Sequence, residues 1–127
     1  MIPMTMMIFC IFEYCRFFMI WNLVKNAARE GCRYALVNNT SATLTTDVTT
    51  IVTSRLAGQS GTLSGLTVSV SGTHLGVNTS LPNLYPGDLI TVSVTGHFSF
   101  MNIVPMVPMP TSITISSAVV MVCEGGT

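Results

Sequence analysis

Charge is what this sequence lacks most. Of 127 residues only ten are charged, five Asp/Glu against five Lys/Arg, and the formal net charge is zero. An ordinary soluble domain has about a quarter of its residues charged. Five scattered cations cannot neutralise many phosphates, which excludes nucleic acid as a partner of a basic surface. So little charge also leaves little to keep copies apart in water, which argues against a soluble monomer. Disorder is excluded from the other side, because 49% of the residues are apolar. The length suits one domain, and no repeat of solenoid period is present. The surface is therefore expected to be covered, by lipid or by copies of the same chain.

Catalytic and metal-binding patterns are missing too. His74 and His97 have no His, Cys or carboxylate at metal spacing, and read as surface or turn histidines. Serine is common, yet no G-x-S-x-G elbow occurs, and only Asp47 and Asp88 could orient a base. The glycine-rich stretch Gly58 to Gly65 (GQSGTLSG) lacks the lysine of a phosphate loop and reads as a flexible connection. Glu13, Glu30 and Glu124 form no readable carboxylate pair. No enzyme, no metal and no cofactor are expected.

What is present is an apolar start. Residues 1–24 read MIPMTMMIFCIFEYCRFFMIWNLV, with only Glu13 and Arg16 charged. A cleaved signal peptide needs a basic n-region and a small-x-small site, and the run shows neither. The length suffices for a membrane span of roughly 20 apolar residues. Glu13 and Arg16 fall mid-run, where each charge costs about 2.5–3.5 kcal/mol on insertion scales. Being three apart, they share a helix face and can neutralise each other. Such a span suits a helix that waits in a membrane and then leaves it. The helical pattern continues through residues 22–37 (NLVKNAAREGCRYALV), and a rod from 4 to 37 would be about 50 Å long at 1.5 Å per residue. Lys25, Arg29 and Arg33 form one stripe of that rod; Ala27, Ala28, Gly31, Cys32 and Ala35 form another. Small residues at this spacing admit a closely packed second helix, or pack beneath the chain's own following domain.

Beyond Asn38-Asn39-Thr40 the composition changes to Thr, Ser, Val and Gly. Leu44, Val48, Ile51, Val52 and Leu56 recur on one helical face, which predicts a short helix over 43–57, with Asp47 in its first turn and Gly58 after its end. Three alternating runs then predict strands: Leu66 to Ser71, Ile90 to Thr95 continuing to Phe100, and Ile113 to Val122. Tyr85-Pro86-Gly87-Asp88 is a turn between them. Met101 to Pro110 (MNIVPMVPMP) is apolar without period, so Met106 and Met109 are expected to meet a neighbouring subunit or the chain's own second helix. The fold class is α+β: a long apolar helix, a short helix and a small antiparallel sheet of three or four strands.

The run Ile11-Phe12-Glu13-Tyr14-Cys15-Arg16 and the element Asn26-Ala27-Ala28-Arg29-Glu30-Gly31-Cys32-Arg33-Tyr34-Ala35 resemble the TadE-like pilin family of tight-adherence pili. Gly87-Asp88 before Ile90 to Val94, and Ile113 to Glu124 with Met121, resemble its later strands. The family's basic leader and G-x-x-x-x-E-F start are not in this sequence. The resemblance implies a rod at 1–37 that sits in the inner membrane and then in a filament core, and an exported α+β domain at 38–127. Partners would be identical subunits in a helical filament and a pilus assembly machinery, at the cell surface. A low-copy minor pilin that primes or caps a filament, and a membrane-tethered binding module, are the alternatives. Glu13 and Arg16 would pair within a rod or between rods and set the axial register. Cys10 and Cys15 lie too far apart on a helix to bridge. Cys32 and Cys123 fall in the exported part, where a disulfide is a candidate. Asn38, Asn39 and Asn78 head N-x-S/T sequons.

Overall fold

A computed structural model of the chain describes residues 1–38, 41–59, 61–79, 84–101 and 111–124. Helix α1 runs Ile2–Val37 and α2 runs Leu44–Leu56, followed by a single 3-10 turn at Ala57–Gln59. The strands are β1 (Leu63–His74), β2 (Val77–Thr79), β3 (Leu89–Ser99) and β4 (Ser112–Val122). They form one antiparallel sheet in the order β2-β1-β3-β4. The expected α+β architecture is therefore the observed one. Met106, Met109 and Asn39 lie outside the described residues.

At 36 residues, α1 is about 54 Å long. Pro3 sits in its first turn, where the missing N–H has no partner to lose. Threonine-rich α2 holds its shape in spite of weak propensity. Thr49, Thr50 and Thr53 donate their hydroxyls back to the carbonyls of Thr45, Thr46 and Thr49, while Leu44, Val48, Val52 and Leu56 are buried.

The pairing of β3 with β4 is unbroken from Leu89↔Val122 to Ser99↔Ser112. Ile90, Val92, Val94 and Phe98 point into the core, and the intervening hydroxyl residues point outward. Strand β1 begins inside the stretch expected to be a flexible connection. Gly65, at φ +61, sits where its register against β3 shifts, and a left-handed residue there lets the strand continue past the irregularity. The β1–β2 hairpin was not expected. Its two loop residues, Leu75 (φ 50) and Gly76 (φ 82), are both left-handed, the geometry that suits the twist of paired strands. Gly87 (φ +96) makes the predicted turn before β3.

The helices cover one face of the sheet, and α1 runs antiparallel to β3. At one end the Phe17 and Phe98 rings meet edge to face at 5.6 Å. At the other, the Cys32 thiol reaches the carbonyls of Ile90 (3.7 Å) and Val119 (3.8 Å). The fifteen residues from Phe17 to Cys32 advance about 22 Å; the eight from Ile90 to Phe98 advance about 26 Å. The two paths match. Gly31 brings α1 against α2: a Cβ there would lie 2.9 Å from one Val52 methyl and 3.1 Å from one Val48 methyl. The core contains Ile20, Val24, Ala27, Ala28, Cys32 and Ala35 of α1 together with Leu44, Val48, Val52, Val92, Val94 and Phe98. The folded body thus draws on α1 from about Phe17 onward, so packing divides the chain inside α1, well before the helix ends at Val37.

Candidate functional site

Two surfaces of α1 carry the expected assembly residues, and the structure treats them differently. Ala27, Ala28, Gly31, Cys32 and Ala35 are buried within the chain, beneath α2 and the sheet. Of the two partners open to the small stripe, its own domain is the one it has. A second helix cannot use the same face while this packing holds.

The N-terminal part is the reverse. Met4, Met7, Ile8, Phe9, Ile11 and Phe12 are exposed around the helix. From Tyr14 to Trp21 one side meets the body, while Tyr14 (67%), Phe18 (55%), Met19 and Trp21 (40%) remain exposed on the other. Tyr14 stacks on Phe18 at 6.4 Å, and Phe17 meets Trp21 edge-on at 5.7 Å. An apolar surface this continuous on so small a chain marks a contact with lipid or protein. By length and composition α1 could cross a membrane.

Glu13 and Arg16 lie where the free-standing helix meets the body. Arg16 Nη1 donates to Glu13 Oε1 at 2.6 Å, so the pair forms within one helix. Arg16 Nη2 also donates to Thr62 Oγ1 at 3.4 Å, and its guanidinium lies 5.8 Å from the centre of the Phe98 ring. The second Glu13 oxygen is buried and accepts no hydrogen bond. An orphaned carboxylate oxygen is costly to bury, so this site has capacity for one more donor.

Higher on α1 the cations gather. Lys25 sits 5.7 Å over the Trp21 ring, and Arg55 of α2 pairs with Glu30. Arg29, Glu30, Arg33, Tyr34 and Arg55 line an open trough of about 930 Å³.

Neither Cys32 nor Cys123 is in a disulfide. Both are buried: the Cys32 thiol faces strand carbonyls, and the backbone N–H of Cys123 donates to Asp88 O at 2.7 Å. The candidate bridge between rod and last strand is not made.

Sequence reasoning missed the cluster around Asp88. This carboxylate is 3% exposed, pairs with His74 Nδ1 and accepts the Tyr85 backbone N–H at 2.7 Å. Burial pushes its pKa up, but the bond from His74, the Tyr85 N–H and the attraction of the imidazole outweigh that and hold it below the ordinary value. Fourteen residues separate the partners, and no spacing rule joins them. Among the described residues no three His, Cys, Asp or Glu side chains converge as metal ligands.

The family model described as TadE-like protein matches residues 1–33, the stretch that contains the Glu13–Arg16 pair and most of the small stripe. The match spans about a quarter of the chain and makes that stretch similar to the family. No curated protein matches the chain, and no solved structure does.

Proposed function

We propose that the chain is a structural, pilin-like subunit that waits in the inner membrane by α1 and then polymerises through α1 into an extracellular filament. One observation carries this reading: from Ile2 to Trp21 most of the large apolar side chains of α1 are left uncovered, while the rest of the helix packs into the chain's own core. In water such a helix is unfavourable by about 25 cal/mol for each Å² of apolar surface exposed. Lipid before assembly and neighbouring rods after it would both remove that term. Catalysis plays no part, and no cofactor is needed.

The Glu13–Arg16 pair suits the transfer between these environments. Paired within one helix, it carries no net charge into lipid, and the unused Glu13 oxygen can accept a donor from an adjacent rod and so fix the axial register.

The test is assembly of a chain lacking residues 2–12. It should fold and melt like the full chain but form no filaments; polymerisation of this deletion would sink the proposal. Copy number in sheared filaments separates the main subunit of this proposal from a low-copy priming or capping one. Imaging those filaments at side-chain resolution would show what meets Glu13.

A further inference from the structure

Most of the ten charges are matched within the chain. Arg16 pairs with Glu13 and Arg55 with Glu30. Asp88 is held by His74 and by the Tyr85 N–H. Asp47 lies in the first turn of α2, where the helix dipole favours a carboxylate, and accepts the Thr43 hydroxyl at 2.9 Å. Lys25 stands over the Trp21 ring. Arg29, Arg33 and Glu124 are left. All three are exposed, and none has an ion pair among the described residues.

Arg29 and Arg33 are four apart on α1, so their side chains are neighbours on one helix face. Both line the open trough of about 930 Å³, whose three arginines face Glu30 alone, and Glu30 is already taken by Arg55. The trough is left with two guanidinium forks, whose geometry matches a carboxylate. Glu124 of the same chain is not at hand to fill it. Helix α1 and strand β4 both rise towards the upper end of the body, where α1 stops; the free helix emerges at the lower end. The Cys32 thiol sets a common level with Val119. From that level Glu124 is five strand residues up, about 16.5 Å. Arg33 is one helix residue up, about 1.5 Å, and Arg29 three residues down, about 4.5 Å. Glu124 therefore stands about 15 Å above Arg33 and about 21 Å above Arg29.

We infer that the trough is a socket for the Glu124 carboxylate of a second copy of the chain, held there by Arg33 and Arg29. The inference rests on the polymer proposed above. Charge complementarity selects this occupant: in a chain of zero net charge, the unmatched carboxylate and the unmatched guanidinium groups are each other's complement. The difference in height then fixes how copies are arranged. With rods parallel, the contact forms only between copies displaced along the rod by about 15 to 21 Å. It runs from copy to copy instead of closing on a dimer.

The test is charge reversal in the full chain. Arg33→Glu and Glu124→Arg should each lower the yield of sheared filaments several-fold, and the two together should restore it. Both positions are exposed, so the melting temperature in detergent should stay the same in all three variants. Full yield from either single variant would overturn the inference, and loss from Arg33→Glu alone would give the trough to some other anion. Two losses without recovery in the double variant would also overturn it. If the wild-type chain forms no filaments at all, the polymer itself fails, which is a different result from losing this contact. A second measurement locates the partner. Arg33→Lys keeps the charge and supplies an amine, so a carbodiimide should join positions 33 and 124 in its filaments. In filaments mixed from isotopically light and heavy subunits, half of the joined peptides should carry one label of each kind. Joined peptides of a single label only would place the contact within one chain and overturn the socket for a second copy.

Discussion

The two halves of α1 differ in composition and have opposite fates. Up to Met19 the apolar positions hold mainly Met, Ile and Phe, and most are exposed; from Ile20 onward the inward positions hold Val, Ala, Gly and Cys, and they are buried. The second half is the more polar, with four of the six charges of α1, but hydropathy does not explain why its apolar positions are the covered ones. Side-chain size does. Small residues let α2 and the sheet approach within contact distance of the helix, as the space over Gly31 shows. Large ones hold neighbours off and present area to whatever is wide enough to cover them, a bilayer or a bundle of similar helices.

The largest expected effect follows from where the body begins. Deleting residues 1–24 removes Phe17, Ile20 and Val24 from beneath the sheet, and each lost core side chain of this kind is worth roughly 2–5 kcal/mol. Three such losses come to about 6–15 kcal/mol, as much as the whole stability of a typical domain, so the fragment should show no cooperative melt by circular dichroism. A melting 1–24 deletion would mean that the two halves differ less than their packing indicates.

Single substitutions sharpen the contrast. Phe98→Ala at the lower core should destabilise by about 3–5 kcal/mol, whereas Phe9→Ala on the free helix should change the detergent unfolding midpoint by less than about 0.5 kcal/mol while reducing filament yield. Gly31→Ala probes the close approach. Overpacking costs about 1–3 kcal/mol, and about 1 kcal/mol returns as helix propensity. A net loss on the order of 1 kcal/mol is expected, where an exposed helical glycine would gain.

Asp88 gives an effect visible only against pH. Its folded pKa is depressed, so its stabilisation is present above the ordinary carboxylate value of 3.8 and disappears as pH falls through the folded value. Wild type should melt above Asp88→Asn at neutral pH, and the two should converge under acid. A constant gap down to acid pH would show that shape, not charge, matters there. The smallest effect belongs to the boundary itself. In a double-mutant cycle, Glu13→Gln and Arg16→Met should couple by about 1 kcal/mol; strict additivity would show that the pair is not an interacting unit.

Much of the fold was legible because its signals are periodic. The spacing of Leu44, Val48, Val52 and Leu56 located α2 to within a residue at each end, and the alternation of Ile90, Val92 and Val94 located β3 and its buried face. The Glu13–Arg16 pair was legible because three residues on a helix are neighbours in space. The β1–β2 hairpin was not, since Leu75 occupies a left-handed loop position where Asn or Gly would be the signal. For the small stripe, spacing announced close packing without naming the partner. Val48 and Val52 decide that, from elsewhere in the sequence.

The Cys32 thiol meets the carbonyl of Val119, 87 residues further along the chain. A nascent chain emerges from its N-terminus, so α1 is made long before β4 exists to cover it. Throughout that interval α2 alone can cover the upper half of the helix, and its sheet side needs shelter as the lower half does. Closing so long a loop is also intrinsically slow. A membrane that holds α1 from the start would keep it out of aggregates until the last strand arrives, and arrival of that strand would then decide which part of the helix the lipid keeps.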